Sequence, residues 1–228
     1  MAMLILLSSM APGALLRVAV HDYQASHGAR IEARAAGGVD VVRRIESGEH
    51  VDVVVLARDA IDRLMLSGHL AEASRRDLMT SGIAAAVPAG TPAPGMSDEA
   101  AVRRAILAAP SISYSTGPSG RYLESLLASW GILDEIRARI VVPSPGTPVA
   151  HLVRSGTVAL GFQQWSELLD VPGIDLVGPL PPSIQHLTMF SGAVSTGARA
   201  PEAAAEFLAY LASTKCESLK RRFGMTGV

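Results

Sequence analysis

The chain has 228 residues, of which 49% are hydrophobic but only 4% aromatic, and 20 basic against 21 acidic side chains leave a formal charge of -1. So balanced a charge excludes generic binding to a phosphate backbone, which leans on an excess of Lys and Arg, and the apolar fraction excludes disorder. The single cysteine, Cys216, excludes a disulfide framework or a thiolate metal cluster, and the length suits one large domain or two small ones.

The chain opens on MAMLILLSSMAP, with no Lys or Arg before Arg17 and with Ser8 and Ser9 interrupting the apolar run. A secretory signal needs a basic start and a longer apolar stretch, so the run reads as a first strand, Leu4–Leu7. The location expected from this is cytoplasmic, or periplasmic if the chain is a trimmed mature form. No segment approaches the roughly 20 apolar residues of a membrane helix, so no membrane insertion is expected.

Short apolar runs then alternate with amphipathic stretches. Ala11–Ser26 reads as a helix. Ala29–Ala35 reads as a strand with Ile31, Ala33 and Ala35 inward, and Val39–Ser47 as a helix closed by Gly48. VDVVVL at Val51–Leu56 has the β-branched run of a strand covered on both faces. Asp59–Ser67 is helical, with Gly68 just past its end. The stretch from Pro88 to Glu99 is rich in Pro and Gly and reads as a surface loop ending in a helix cap at Ser97 or Asp98.

The pattern restarts with a helix at Ala100–Ala108, a strand at Ser111–Tyr114, a helix at Gly120–Trp130 and a strand at Arg139–Val142. A helix at Val149–Ser155 and strands at Val158–Phe162, Ile174–Val177 and Leu187–Val194 follow. Pro201–Ala212 is a helix with Pro in its first turn, and Ser218–Phe223 ends the series. Alternating strands and helices imply α/β architecture with parallel sheet. The break near Gly82–Pro88 and the late strand and helix suggest two Rossmann-like lobes, 1–84 with 190–228 and 85–189. Two crossings between them would form a hinge, with a ligand cleft between the lobes.

In parallel α/β sheets, ligands sit outside the carboxyl ends of strands. That rule selects Ser8, Ser9 and Met10 after the first strand, Gly37 and Gly38 after the second, and Arg58 after the third. In the second half it selects the loop of Ser115, Gly117, Ser119 and Gly120, then Gly146 and Thr147 in PSPGTP, then Gln163 and Gln164. These loops are rich in hydroxyls, amides and Gly and poor in acids, and each opens a helix, where free N–H groups favour an anion. Ser and Gly at helix starts are also ordinary caps. Arg58 and Arg121 are the charged candidates. The expected partner is a small anionic ligand, a carboxylate or an oxyanion, with no cofactor and no nucleic acid. His21, His27, His50, His69, His151 and His186 show no metal-ligand spacing, and Glu167 reads as a partner of a helix dipole. No residue stands out as catalytic.

LLSSMAP, AAGGVDVVRRIESGEHVDVVVLARDAIDRL, SYSTGPSGRYLESLLASWGI, LVRSGTVALGFQQWSEL and PEAAAEFLAYLAS together resemble the solute-binding proteins of ABC transporters, in the molybdate-binding-protein-like superfamily. The resemblance implies the type II periplasmic binding protein fold. It places Ser9, Gly37–Gly38, Ser119, Gly146 or Thr147, and Gln164 at ligand-contact positions. Molybdate binders carry Tyr where Gln164 stands and commonly Ser where Gly37–Gly38 stand, so the resemblance implies a carboxylate in preference to molybdate. An ABC permease is a partner only if the chain is exported. The same superfamily includes aconitate isomerase, and this chain is similar to that branch. That likeness implies a double-bond shift by proton transfer, with Tyr114, Asp59 and His186 as possible bases.

Overall fold

The structure is a computed structural model that describes residues 3–144 and 146–228; Met1 and Ala2 of the opening run and Pro145 of PSPGTP lie outside the described residues. Contacts divide the chain into two units: unit 1 runs to Ser81 and resumes at Thr188, and unit 2 spans Gly82–Leu187. In chain order, unit 1 contains β1 (Met3–Ser9), α1 (Gly13–His27), β2 (Arg30–Ala36), α2 (Gly38–Glu46), β3 (Val53–Ala57), α3 (Arg58–Leu66) and β4 (Arg76–Ser81). Unit 2 contains β5 (Ile83–Pro88), α4 (Glu99–Ala108), β6 (Ile112–Tyr114), α5 (Pro118–Ser129), α6 (Leu133–Ile136), α7 (Val149–Arg154), β7 (Leu160–Gln164), α8 (Trp165–Leu168) and β8 (Ile174–Pro179). The chain then returns to unit 1 with β9 (Thr188–Val194), α9 (Pro201–Ala212), α10 (Glu217–Arg222) and β10 (Thr226–Gly227).

Among the described residues, unit 1 has a six-stranded sheet in the order β10-β4-β9-β3-β1-β2. β1 is parallel to β2 and β3, while β9 is antiparallel to both β3 and β4. The carboxyl ends of β1 to β4 therefore share one edge with the start of β9. Alternation along β3 explains its apolar run. Val53 and Val55 pack with Leu15, Leu16, Phe207 and Leu208, whereas Val54 and Leu56 face Val41, Ile45, Ile61 and Leu64. Both faces of the strand are covered, so every second residue cannot be polar. Gly48 and Gly68 follow α2 and α3 at φ of +86° and +78°, a left-handed turn that glycine takes without a Cβ clash.

Unit 2 has a four-stranded sheet in the order β6-β7-β5-β8. β6 and β7 are parallel and β5 is antiparallel to β7 and β8, so the carboxyl ends of β6, β7 and β8 share an edge with the start of β5. One face packs Ile83, Ala85, Leu160 and Phe162 against Val102, Ile106, Leu123 and Leu127; the other packs Ala84 and Ala86 against Val149, Val153 and Leu168. The second face is built from small residues. A Cβ on Gly161 would lie 2.4 Å from a Val153 methyl, so α7 sits close on the sheet.

The structure corrects several sequence expectations. Ala35 keeps the face of Ile31 and Ala33, with the Gly13 end of α1 close against it (a Cβ there would lie 3.1 Å from the Ala35 Cβ), yet it is exposed, because β2 is the edge strand of the sheet and only a glycine covers this end. Residues 139–142 form no strand: a 3-10 turn ends at Arg139, whose guanidinium donates to Leu107 O and Ala109 O, and a single parallel bridge joins Ile140 to Ile112. Gln163 and Gln164 are strand and not loop, since pairing with β5 continues through Ile83 and Gln164. β4 and β5 were not anticipated as strands. β5 reads IAAAVP, and Ala has little strand preference; close packing selects it here. The chain also continues past Phe223 into β10, which pairs antiparallel with β4. Asp98 rather than Ser97 caps α4, accepting from Ala101 N at 2.8 Å.

Candidate functional site

At the carboxyl edge of unit 1, register sets Ser9 beside Ala36, and a Cβ on Gly38 would lie 3.8 Å from the Ser9 Cβ. The first two selected loops are thus neighbours. Ser9 Oγ is buried and has no hydrogen-bond partner among the described residues. Ser8 is different: strand alternation turns it toward α1, and its Oγ donates to Ser9 O at 3.0 Å. Met10 O accepts from Gly13 N at 2.9 Å and so closes the turn into α1. Gly37 is the first capping position of α2, and its carbonyl accepts from Val41 N. Arg58 opens α3, but its guanidinium is 3.4 Å from Asp77 and 3.9 Å from Asp62, so its charge is already matched within unit 1.

At the carboxyl edge of unit 2, Gly117 caps α5, Pro118 supplies its first position, and Ser119 and Gly120 follow. Ser115 Oγ and Ser119 Oγ are 2.9 Å apart, and Gly117 N donates to Ser115 Oγ at 3.3 Å. Gly120 is there for space: a Cβ would stand 1.5 Å from Ser115 O. Thr147 N donates to Ser144 O, closing the turn that carries Gly146 before α7. Gln164, the last residue of β7, is 2% exposed. Gln163 is committed within the unit, its Oε1 accepting from Ala150 N at 3.4 Å and its Nε2 donating to Glu167 Oε1 at 2.8 Å.

Glu167 lies in α8 immediately after β7, as a helix-dipole partner would, but it does more than meet a dipole. Burial pushes its carboxyl up to about 7, and the Gln163 hydrogen bond only partly opposes this. Among the described residues, no Lys, Arg or His pairs with it. The sequence marks it only by position, because its environment comes from α7 and β7 together. Of the other groups weighed as bases, Tyr114 is raised by burial and by the Glu124 carboxylate, which keeps its phenol protonated. His186 stacks on Tyr122 with centroids 4.6 Å apart, while Tyr122 donates to Ile184 O. No group of three His, Cys, Asp or Glu side chains among the described residues has the arrangement to hold a metal ion. No helix among them is long and apolar enough to cross a membrane.

The sequence profile of the bacterial extracellular solute-binding protein family matches residues 4–226. The chain belongs to that family. It is 38% identical over 206 residues to an aconitate isomerase from Pseudomonas sp., covering 87% of this chain and 78% of that protein. Among solved structures, it superposes on the periplasmic molybdate-binding protein of Azotobacter vinelandii with a TM-score of 0.82 at 17% identity, covering 98% of each chain. The sulfate-binding protein SubI of Mycobacterium tuberculosis H37Rv gives 0.80 at 16% identity, covering 100% of this chain and 88% of that one. The fold of this solute-binding protein is that of the type II periplasmic binding proteins, as the sequence resemblance implied.

Proposed function

We propose that this solute-binding protein binds a small di- or tricarboxylate through the loops at the carboxyl edges of its sheets. The carrying observation is the buried Ser9 hydroxyl without a partner beside the Gly38 backbone, a pairing suited to a carboxylate oxygen. Within unit 2, taken by itself, Ser119 at the start of α5 and Gln164 at the end of β7 offer a hydroxyl and an amide with no formal charge. Thermal shift against citrate, cis- and trans-aconitate, sulfate and molybdate tests the reading. A ligand at 100 times its Kd adds about 2.7 kcal/mol, a clear rise in Tm. Carboxylates are expected to stabilise the protein, and a molybdate shift with no carboxylate shift overturns the preference. Ser9→Ala, Ser119→Ala and Gln164→Ala are each expected to weaken the carboxylate response about tenfold or more, the cost of an unmade buried hydrogen bond. If all three respond like the parent, the site is elsewhere.

A second reading is favoured by the relative at 38% identity: the bound carboxylate is a substrate, and the protein shifts its double bond as an isomerase of the aconitate isomerase type. Interconversion of cis- and trans-aconitate by substoichiometric protein, followed by NMR, separates catalysis from binding. Stabilisation by carboxylates without turnover leaves binding alone.

A further inference from the structure

We propose that Glu167 is the residue that carries the proton in that double-bond shift, with Gln163 as the positioning residue that holds its carboxyl. The inference rests on the isomerase reading above. Its geometry lies within unit 2. β6 and β7 run in parallel with Ser113 beside Gly161 and Tyr114 beside Phe162, so one step further Ser115 comes level with Gln163. The Ser115–Ser119 hydroxyl pair at the start of α5 and the Gln163–Glu167 pair therefore stand at one sheet edge, and Gln163 ties Glu167 to Ala150 N in the first turn of α7, the helix that Gly146 and Thr147 lead into. Ser113 lies below them, fully buried, and its Oγ has no partner among the described residues.

Gln163 has both ends of its amide engaged, so it fixes Glu167 and takes no part in proton exchange. The Glu167 carboxyl accepts this one hydrogen bond from a neutral group. The charged groups of the nearest helix, His151 and Arg154, are exposed and 3.2 Å from one another, and neither compensates it. A carboxyl in this setting is as ready to take a proton as to give one near neutral pH, the property a proton carrier needs. A carboxylate paired with Arg would hold no proton there.

The step balances without a co-reactant. A carboxylate oxygen of Glu167 takes a proton from the substrate methylene; that C–H bond breaks and an O–H bond forms. The electron pair spreads over the three allylic carbons and the adjoining carboxylate, where hydroxyls and amide N–H groups stabilise it. The O–H bond then breaks and a C–H bond forms at the other allylic end, regenerating the carboxylate. Nothing is oxidised or reduced.

The test uses the full chain with trans-aconitate in D2O, reading isomer ratio and deuterium incorporation by NMR. Glu167→Gln is expected to slow both at least about 100-fold, in the range of a lost general acid or base, while its thermal shift with trans-aconitate persists. Glu167→Asp is expected to restore part of the rate. The parent's kcat is expected to fall as pH drops through an inflection near 7, where Glu167 becomes protonated. That profile also decides the matter if Glu167→Gln does not fold. Turnover by Glu167→Gln within threefold of the parent, or a parent profile flat between pH 5.5 and 8.5, overturns the assignment and leaves the isomerase reading standing. A parent that binds carboxylates but turns none over overturns both.

Discussion

Replacing Asp52 by alanine is expected to lower stability by about 2–5 kcal/mol, the cost of leaving two buried backbone N–H donors without an acceptor. Asp52 has no exposed surface. Its Oδ2 accepts from Ile5 N and its Oδ1 from Arg199 N, both at 2.8 Å. Its backbone adds two more links, Asp52 N to Ile5 O and Ser195 N to Asp52 O. One side chain thus joins the start of β1, the approach to β3 and the segment after β9. Alanine would leave two backbone donors unsatisfied. Asparagine keeps one acceptor and sets an N–H against the other donor, so it is expected to recover only part of the loss. The urea midpoint at constant m-value measures the effect. A loss below about 1 kcal/mol for Asp52→Ala would show that water replaces the carboxylate and that this carboxylate does not hold the edge.

Asp52 also shows where sequence reading stops. Within VDVVVL, periodicity identifies the strand but says nothing about why an acid sits at its head. The reason lies at Ile5 and Arg199, 47 and 147 residues away. Elements whose own side chains decide their structure were legible. The helix at Pro201–Ala212 has the expected bounds, and α2 and α3 are followed by the expected glycines. β5 was not legible, because its alanines are selected by the helix that lies against them and not by strand preference. Residues 139–142 failed for the opposite reason: apolar residues after Arg139 suggested a strand, but the Arg139 bonds to the end of α4 and Pro143 limit pairing to one bridge.

The candidate loops were legible as a set because helix-start chemistry is local. What each residue does there was not. Arg58 carries the right charge at the right strand end, yet Asp62 and Asp77 already match it. Gln163 and Gln164 are adjacent and chemically identical, but strand alternation sends Gln163 toward α7 and Glu167, so the two serve different neighbours. The environment of Glu167 is set by that choice of face, and a sequence without its sheet register does not reveal it.

Gly120→Ala is the second large effect expected. The new Cβ would fall 1.5 Å from the Ser115 carbonyl oxygen and 2.6 Å from its carbon. Backbone on both sides must move, because no side chain can rotate away. Forced repacking of this kind costs about 1–3 kcal/mol or more, and a backbone obstacle belongs at the upper end. The displacement also separates Ser115 from Ser119, so the carboxylate response is expected to disappear even where the variant is still folded. Gly117→Ala is the control three residues earlier in the same loop. Its φ of -86° suits any residue, and its Cβ would meet only Ser115 Oγ, at an ordinary 3.6 Å. If the two variants lose equal stability and equal ligand response, the loop tolerates movement and its shape is not what binds the anion. If only Gly120→Ala loses both, the close approach of α5 to Ser115 holds the hydroxyls where a carboxylate can reach them.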